Sequence, residues 1–327
     1  MKIFPIFIPH LGCPFKCVYC DQITITKSNI PSVQSISEKV RAFCENNQFE
    51  EKEIAFFGGT FTKLSQEQQQ AYFDAVNEHK NLINGIRIST RPDSIDQKVL
   101  EFCKDNNVRT IELGIQSFDD SVLQTTKRGY TSQAAIESCN LIKENHFTLG
   151  IQLMPGLPGF NNTSLKKTIE TTIKLNPDFV RIYPTIVLKN TELENWFNSG
   201  EYTPLSLGEA IEITSEMISR FREKEIQVIK VGLHSDIGEE NIIAGPYHQS
   251  FGELTRAEML KIKILNNFKA KTLEISPSDI SLFKGFNSKM LKEIKTKKKL
   301  NNLPIIINKN MKKNNYIFTN AQPDFNW

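Results

Sequence analysis

The sequence has no run of about eighteen apolar residues, so no segment of its 327 residues can cross a membrane as a helix. Its opening, Met1-Lys2-Ile3-Phe4-Pro5-Ile6-Phe7-Ile8-Pro9-His10, has neither the unbroken apolar stretch nor the small-residue cleavage site of a secretory signal. A cytoplasmic protein without membrane contact is expected. Cysteine is sparse, six residues in all, and disulfide scaffolds belong to short exported chains, so that framework is set aside. Cys44, Cys103 and Cys139 stand singly in helical stretches and read as small core residues. No internal repeat occurs. Arginine nearly vanishes from the end of the chain: after residue 255 there is one, Arg256, beside fourteen lysines. Forked, bidentate recognition is therefore not expected of that end.

What is present is ordinary globular composition, 39% hydrophobic and 24% charged, enough for one barrel-sized domain with a small appendage. The net charge of +3 hides a division. Residues 256–327 hold fifteen Lys/Arg against five Asp/Glu (+10), and residues 1–255 hold twenty-five against thirty-two (−7). Strand-like runs at 2–8, 53–57, 85–89, 110–115, 148–154 and 179–183 alternate with helical patterns at 36–46, 66–79, 94–105, 119–126 with 132–145, and 163–174. Six β-then-α units in a row predict an α/β fold with parallel strands and right-handed crossovers. It closes as a partial or full parallel (β/α) barrel or stays an open, doubly wound sheet. The polar motifs fall at the C-terminal ends of strands, where barrel enzymes keep their sites.

After Tyr183 a helix is expected at 205–221, a strand at 226–231, a loop at 232–254 and a helix at 255–267. A lysine- and asparagine-rich segment of low complexity follows at 284–315. The expected division is a core of residues 1–254 and a basic C-terminal extension of residues 255–327.

Leu11-Gly12-Cys13-Pro14-Phe15-Lys16-Cys17-Val18-Tyr19-Cys20-Asp21 places three thiols within eight residues, directly after the first strand. Gly12 and Pro14 allow a tight loop that aims the sulfurs inward. A structural zinc ion usually takes four ligands in two spaced pairs; here there is a triplet, and His10 is the one obvious nearby fourth. A cubane held by Cys13, Cys17 and Cys20 alone would leave one iron open.

That spacing resembles the signature of the radical SAM superfamily. The resemblance implies a 4Fe–4S cluster on these cysteines and S-adenosylmethionine on the open iron. Reductive cleavage then gives a 5′-deoxyadenosyl radical. It also implies an external electron donor of flavodoxin or ferredoxin type. Tyr19, before the third cysteine, matches the aromatic residue that lies against the adenine. Phe56-Phe57-Gly58-Gly59-Thr60 resembles the family's Gly-Gly motif for the methionine amino group. Ser89 stands where relatives place a polar contact to the methionine part. In that stretch Asp93 reads as a helix N-cap. Gln116 matches a ribose contact, Arg128 a carboxylate contact, and Gln152 a second ribose contact. Met154 opens the adenine-side Met154-Pro155-Gly156-Leu157-Pro158-Gly159 turn.

Two branches are similar. Gln116-Ser117-Phe118 with Arg128-Gly129 resembles oxygen-independent coproporphyrinogen oxidase, although Asp21 and Gln22 follow the triplet where that branch has a further cysteine. Val180-Arg181-Ile182-Tyr183-Pro184-Thr185 with Lys189-Asn190-Thr191-Glu192-Leu193 is similar to the radical SAM half of the Elongator catalytic subunit. The 72 residues from Arg256 to Trp327 are too few for that subunit's acetyltransferase domain. RNA is the first substrate suggested, a tetrapyrrole or other metabolite the second. A non-catalytic Fe–S or haem carrier on the same scaffold is a rival. His234, His248 and Glu253 lie in a loop expected to cap the barrel mouth, and the C-terminal lysines suit phosphate backbones.

Overall fold

The computed structural model describes residues 2–26, 29–45, 49–233, 237–266, 272–281, 296, 304–313 and 315–319. Two compact units emerge. The first comprises residues 1–210 and 220–249, the second residues 211–219 and 250–327.

The first unit is built on seven parallel strands: β1 (Lys2–Phe7), β2 (Lys52–Phe57), β3 (Gly85–Thr90), β4 (Val108–Gln116), β5 (Thr148–Leu153), β6 (Phe179–Ile182) and, after the short β7 (Val187–Leu188), β8 (Gln227–Val231). Their order is β1-β2-β3-β4-β5-β6-β8. The order runs one way without reversing, so the sheet is not doubly wound. It curls into a half-barrel with β1 and β8 at its edges. The expected strand at 226–231 is thus a seventh stave. Helices α1 (Gln22–Thr26), α2 (Val33–Glu45), α3 (Gln66–Asn77), α4 (Gln97–Asp105), α5 (Asp120–Thr125), α6 (Ser132–Glu144), α7 (Asn162–Leu175) and α8 (Glu192–Asn198) lie along the chain between the strands, with α9 (Leu207–Arg222) before β8.

Alternation along each strand assigns the faces. Ile54 and Phe56 of β2, Ile86 and Ile88 of β3, and Ile111, Leu113 and Ile115 of β4 are buried on one side. Phe56 stacks on Tyr72 of α3, with ring centroids 5.8 Å apart. The alternate positions, Glu53, Arg87, Glu112, Gln152 and Arg181, carry polar groups into the interior of the curl. Arg87 lies between Glu53 and Glu112, with Nη–O distances of 2.7 Å to each. Arg181 Nε is 2.8 Å from the second oxygen of Glu112. Thr110 Oγ1 donates to Glu53 at 2.7 Å. Two cations and two carboxylates thus neutralise one another, as buried charges must.

Local chemistry fixes the helix starts. Asp96 caps α4 by accepting from the Val99 N–H, and Asp119, Thr131, Asn161 and Thr191 cap α5, α6, α7 and α8. Asp93 is not the cap expected for α4. Pro92-Asp93-Ser94 first makes a 3₁₀ turn, so the helix begins three residues later, and Asp93 pairs with Arg91 instead.

A two-stranded antiparallel ribbon of β7 and β9 (Ile242–Ala244) belongs to the same unit. Its cluster contains Ile186, Leu188 and Ile237, with Ile25, Leu233 and Tyr247 against it. In the second unit, α10 (Phe251–Asn266) starts four residues before the expected 255. It shares a core of Leu260, Ile264, Leu273 and Ile275 with a sheet of order β11-β10-β12. Those strands are β10 (Thr272–Ile275), β11 (Ile305–Ile307) and β12 (Tyr316–Thr319). Much of the low-complexity 284–315 segment lies outside the described residues.

Candidate active site

Parallel strands bring their C-terminal ends to one mouth, and the cysteines and the cofactor-contact candidates from the sequence meet there. Cys13, Cys17, Tyr19, Cys20, Gly58, Gly59, Thr60, Ser89, Gln116, Arg128, Gln152 and Met154 all line one cavity of about 250 Å³. His10, Arg91, Arg181 and Tyr183 line it as well, as do Phe7, Phe57, Ile186, Leu188 and Leu233.

The cysteine loop is locked to the glycine loop backbone to backbone. Thr60 N donates to Leu11 O at 2.7 Å. Gly12 and Gly59 have φ of +70° and +63°. A Cβ on Gly12 would sit 2.3 Å from Thr60 O, and one on Gly59 would sit 2.3 Å from Leu11 O. No side chain fits at either place. Gln22 adds a clamp: its Oε1 accepts from the N–H groups of His10 and Gly59, each at 2.6 Å. Its own N–H donates to His10 Nε2 at 2.8 Å. That ring nitrogen is engaged with α1, so His10 is held as part of the loop and not offered as a fourth ligand.

The three thiols act on one another electrostatically. Burial and the neighbouring thiols push Cys20 up to about 12, and burial raises Cys13 against the Thr60 hydroxyl 3.4 Å from its sulfur. Among the described residues no three His, Cys, Asp or Glu side chains are gathered as ligands of a single ion. A single zinc needs every donor within about 2.3 Å of one point. A cubane gives each cysteine its own iron and so accepts wider spacing.

Arg128 is buried at the centre of this pole. Nη1 donates to Cys17 Sγ at 3.0 Å and to Tyr19 Oη at 3.1 Å, and Nε donates to Tyr130 Oη at 3.0 Å. Nη2 donates to the Gly114 carbonyl. Arg91 grips Asp93 with two bonds of 2.9 and 2.8 Å, donates to the Arg128 carbonyl, and lies over the rings of Phe15 and Tyr130.

Gln116 ends β4 at φ +69°, where the β4–β5 register shifts. A non-glycine residue in that region is uncommon and strained. Its Oε1 is buried with no hydrogen-bond partner among the described residues. Gln152 Nε2 donates to Glu112 at 3.1 Å and reaches Ser89 Oγ at 3.4 Å. These two cofactor candidates are thus also tied to the interior charges. Tyr183, beyond Arg181, is half-buried; desolvation raises its phenol, while the Arg181 charge opposes the rise.

The donor set fits an iron–sulfur cluster and a polar organic cofactor: three mutually interacting thiols, a buried cation, an orphaned amide oxygen and a side-chain-free cradle. Gln22, Arg91, Arg181 and Tyr183 line the cavity without having been expected there. Gln22 had no signal beyond following the triplet. Arg181 did, as a charge inside a buried strand. His248 and Glu253 do not line the cavity, Glu253 pairs with Arg256 at 3.0 Å, and His234 lies outside the described residues.

A half-barrel with thiols, glycines and polar strand ends at one mouth is the arrangement of a radical enzyme class. The chain belongs to the radical SAM superfamily, whose sequence profile matches residues 7–172, followed by the radical SAM C-terminal domain over residues 177–261. It is a radical SAM enzyme, and the cofactors of that family are a 4Fe–4S cluster and S-adenosylmethionine. It is 30% identical over 231 residues to the tRNA uridine(34) acetyltransferase of Methanocaldococcus jannaschii, covering 64% of this chain and 42% of that protein. It is 30% identical over 237 residues to Elongator complex protein 3 of Mus musculus, covering 65% and 42%. The archaeal Elp3 of Methanocaldococcus infernus superposes with a TM-score of 0.62 at 26% identity, over 71% of this chain and 59% of that one. Coproporphyrinogen III oxidase of Escherichia coli shares the fold, with a TM-score of 0.53 at 17% identity over 68% of this chain and 52% of that one. The chain spans about half the length or less of the tRNA uridine(34) acetyltransferases and Elongator complex protein 3 that it matches. No described helix is long and apolar enough to cross a membrane.

Proposed function

We propose that this enzyme acts on RNA, with a transfer-RNA nucleoside as the reacting group, and that Cys13, Cys17 and Cys20 hold its cluster. The observation that carries the ligand assignment is that all three thiols share one cavity with the Gly58–Gly59 cradle and the buried Arg128 cation. When bound, the cluster and cofactor supply a low-potential electron and a hydrogen-abstracting carbon radical. The chain's own residues bind and orient. Gly58, Gly59 and Thr60 take the methionine amino end, with Ser89 beside them. Arg128 serves the carboxylate with its remaining Nη2 proton. Gln116 gives its orphaned oxygen to a ribose hydroxyl, and Gln152 lies near the same sugar. Tyr19 and Met154 flank the adenine. Apolar walls at Phe7, Phe57, Ile186 and Leu188 keep bulk water from the reacting centre.

RNA is favoured because the similar relatives are named for transfer-RNA uridine modification and the C-terminal residues are strongly basic. A tetrapyrrole with several carboxylates is disfavoured. Arg91 and Arg181 on the cavity wall are already neutralised by Asp93 and Glu112. Residues 1–254 serve as the catalytic core and 255–327 as an RNA-directed extension. The external donor is a one-electron protein of flavodoxin or ferredoxin type, in a cytoplasmic setting. The test is anaerobic incubation of cluster-loaded protein with reductant, labelled S-adenosylmethionine and total cell RNA. Release of 5′-deoxyadenosine with a mass change in a transfer-RNA nucleoside is expected. Release with unchanged RNA and a changed porphyrinogen would transfer the proposal to the tetrapyrrole branch. No release at all from loaded protein would favour a carrier.

A further inference from the structure

Arg128 is one of three buried arginines, and the three differ in what holds them. Arg87 lies between two glutamates and Arg91 grips Asp93. Arg128, only 5% exposed, has no carboxylate within 4.0 Å among the described residues. Four of its five N–H groups are spent on a sulfur, two phenols and a peptide carbonyl. Phenols ionise near 10, so Tyr19 and Tyr130 provide no negative charge at neutral pH. A guanidinium always carries its charge, and a buried cation without an anion is strongly unfavourable. The missing anion must therefore come from something that binds. The remaining Nη2 proton is left for the cofactor carboxylate, whereas the contact at 3.0 Å from Nη1 to Cys17 Sγ sets the cation against the cluster as well.

We infer that Arg128 is the counter-ion of the iron–sulfur cluster and raises its reduction potential through the N–H···S contact to Cys17. The inference rests on the cysteine assignment proposed above. Three thiolates outweigh the charge of the cubane core, so the site is anionic, and one-electron reduction adds one more negative charge with no bond made or broken. The reductant is a one-electron donor of low potential. A fixed cation and a donated hydrogen bond at a ligand sulfur stabilise the reduced form more than the oxidised form. Arg128 is thus a positioning and tuning residue, and its action precedes any contact with the organic cofactor.

The experiment is a redox titration, followed by electron paramagnetic resonance, of anaerobically reconstituted wild type, Arg128→Gln and Arg128→Lys, without S-adenosylmethionine. Leaving the cofactor out removes any effect of a contact to its carboxylate. Arg128→Gln is expected to lower the ratio of reduced to oxidised cluster at least tenfold at fixed poise, a fall of about 59 mV for one electron. Arg128→Lys keeps the charge and should lose less than half of that. If Arg128→Gln folds without taking up iron while Arg128→Lys loads, the cation is needed to hold the anionic centre and the inference stands. It fails if Arg128→Gln loads and titrates like wild type, or if neither variant loads, which would make Arg128 a packing residue. Wild-type protein that takes up no cluster would overturn the cysteine assignment instead.

Discussion

Arg87 and Arg181, inside the half-barrel, are held by Glu53 and Glu112, whereas Arg128, at its mouth, is held by a sulfur, two phenols and a carbonyl. Both regions bury positive charge next to the same cavity. In the interior set each cation faces a carboxylate. The mouth differs: it carries a cation with no carboxylate within 4.0 Å among the described residues, an orphaned amide oxygen on Gln116, and three free thiols. Buried polar groups are costly when unpaired. At the mouth, a bound ligand would relieve that cost.

This contrast can be broken at either end. The largest effect is expected at the mouth. Cys20→Ala should abolish cluster loading, read as loss of bound iron and of thiolate-to-iron absorbance, while the urea midpoint of the iron-free protein barely moves. The interior set should respond in the opposite way. Glu112→Gln leaves Arg87 and Arg181 short of a carboxylate and is expected to cost about 3–5 kcal/mol in urea unfolding, with iron per folded chain unchanged. Equal loss of iron in both variants would erase the distinction between the two regions.

A smaller effect sharpens the geometry of the mouth. Gly59→Ala puts a Cβ against Leu11 O at positive φ and is expected to cost about 1–3 kcal/mol. The same variant should also slow iron uptake, because Leu11 leads into the cysteine loop. The smallest effect serves as a control. Lys127 and Glu192 form an exposed pair at 2.6 Å, and Lys127→Ala should change stability by less than about 0.5 kcal/mol.

The staves of the barrel were legible because apolar residues recur along each strand, as in Ile54–Phe57 and at Ile111, Leu113 and Ile115. The triplet, the Gly58–Gly59 turn and Gln116 were legible because each stands at or just past the end of a strand. The choice between barrel and open sheet was not, since strand order is decided by contacts far apart in the chain. Nor was the interior charge set. Glu53, Arg87, Glu112 and Arg181 each stand as a lone charge in a strand, and only the register across β2, β3, β4 and β6 makes them partners. Gln22 was hidden for a similar reason, since its three bonds reach back to His10 and across to Gly59. The β7–β9 ribbon is too short to show a period, with Val187–Leu188 opposite Ile242–Ala244.

The central claim is that three cysteines at the mouth grip a cluster and leave one iron for the cofactor. Mössbauer spectroscopy of iron-57-reconstituted protein, with and without S-adenosylmethionine, tests it most directly. About one iron in four should change its signal when the cofactor is added. A spectrum that the cofactor leaves untouched, in protein fully loaded with iron, would contradict the account.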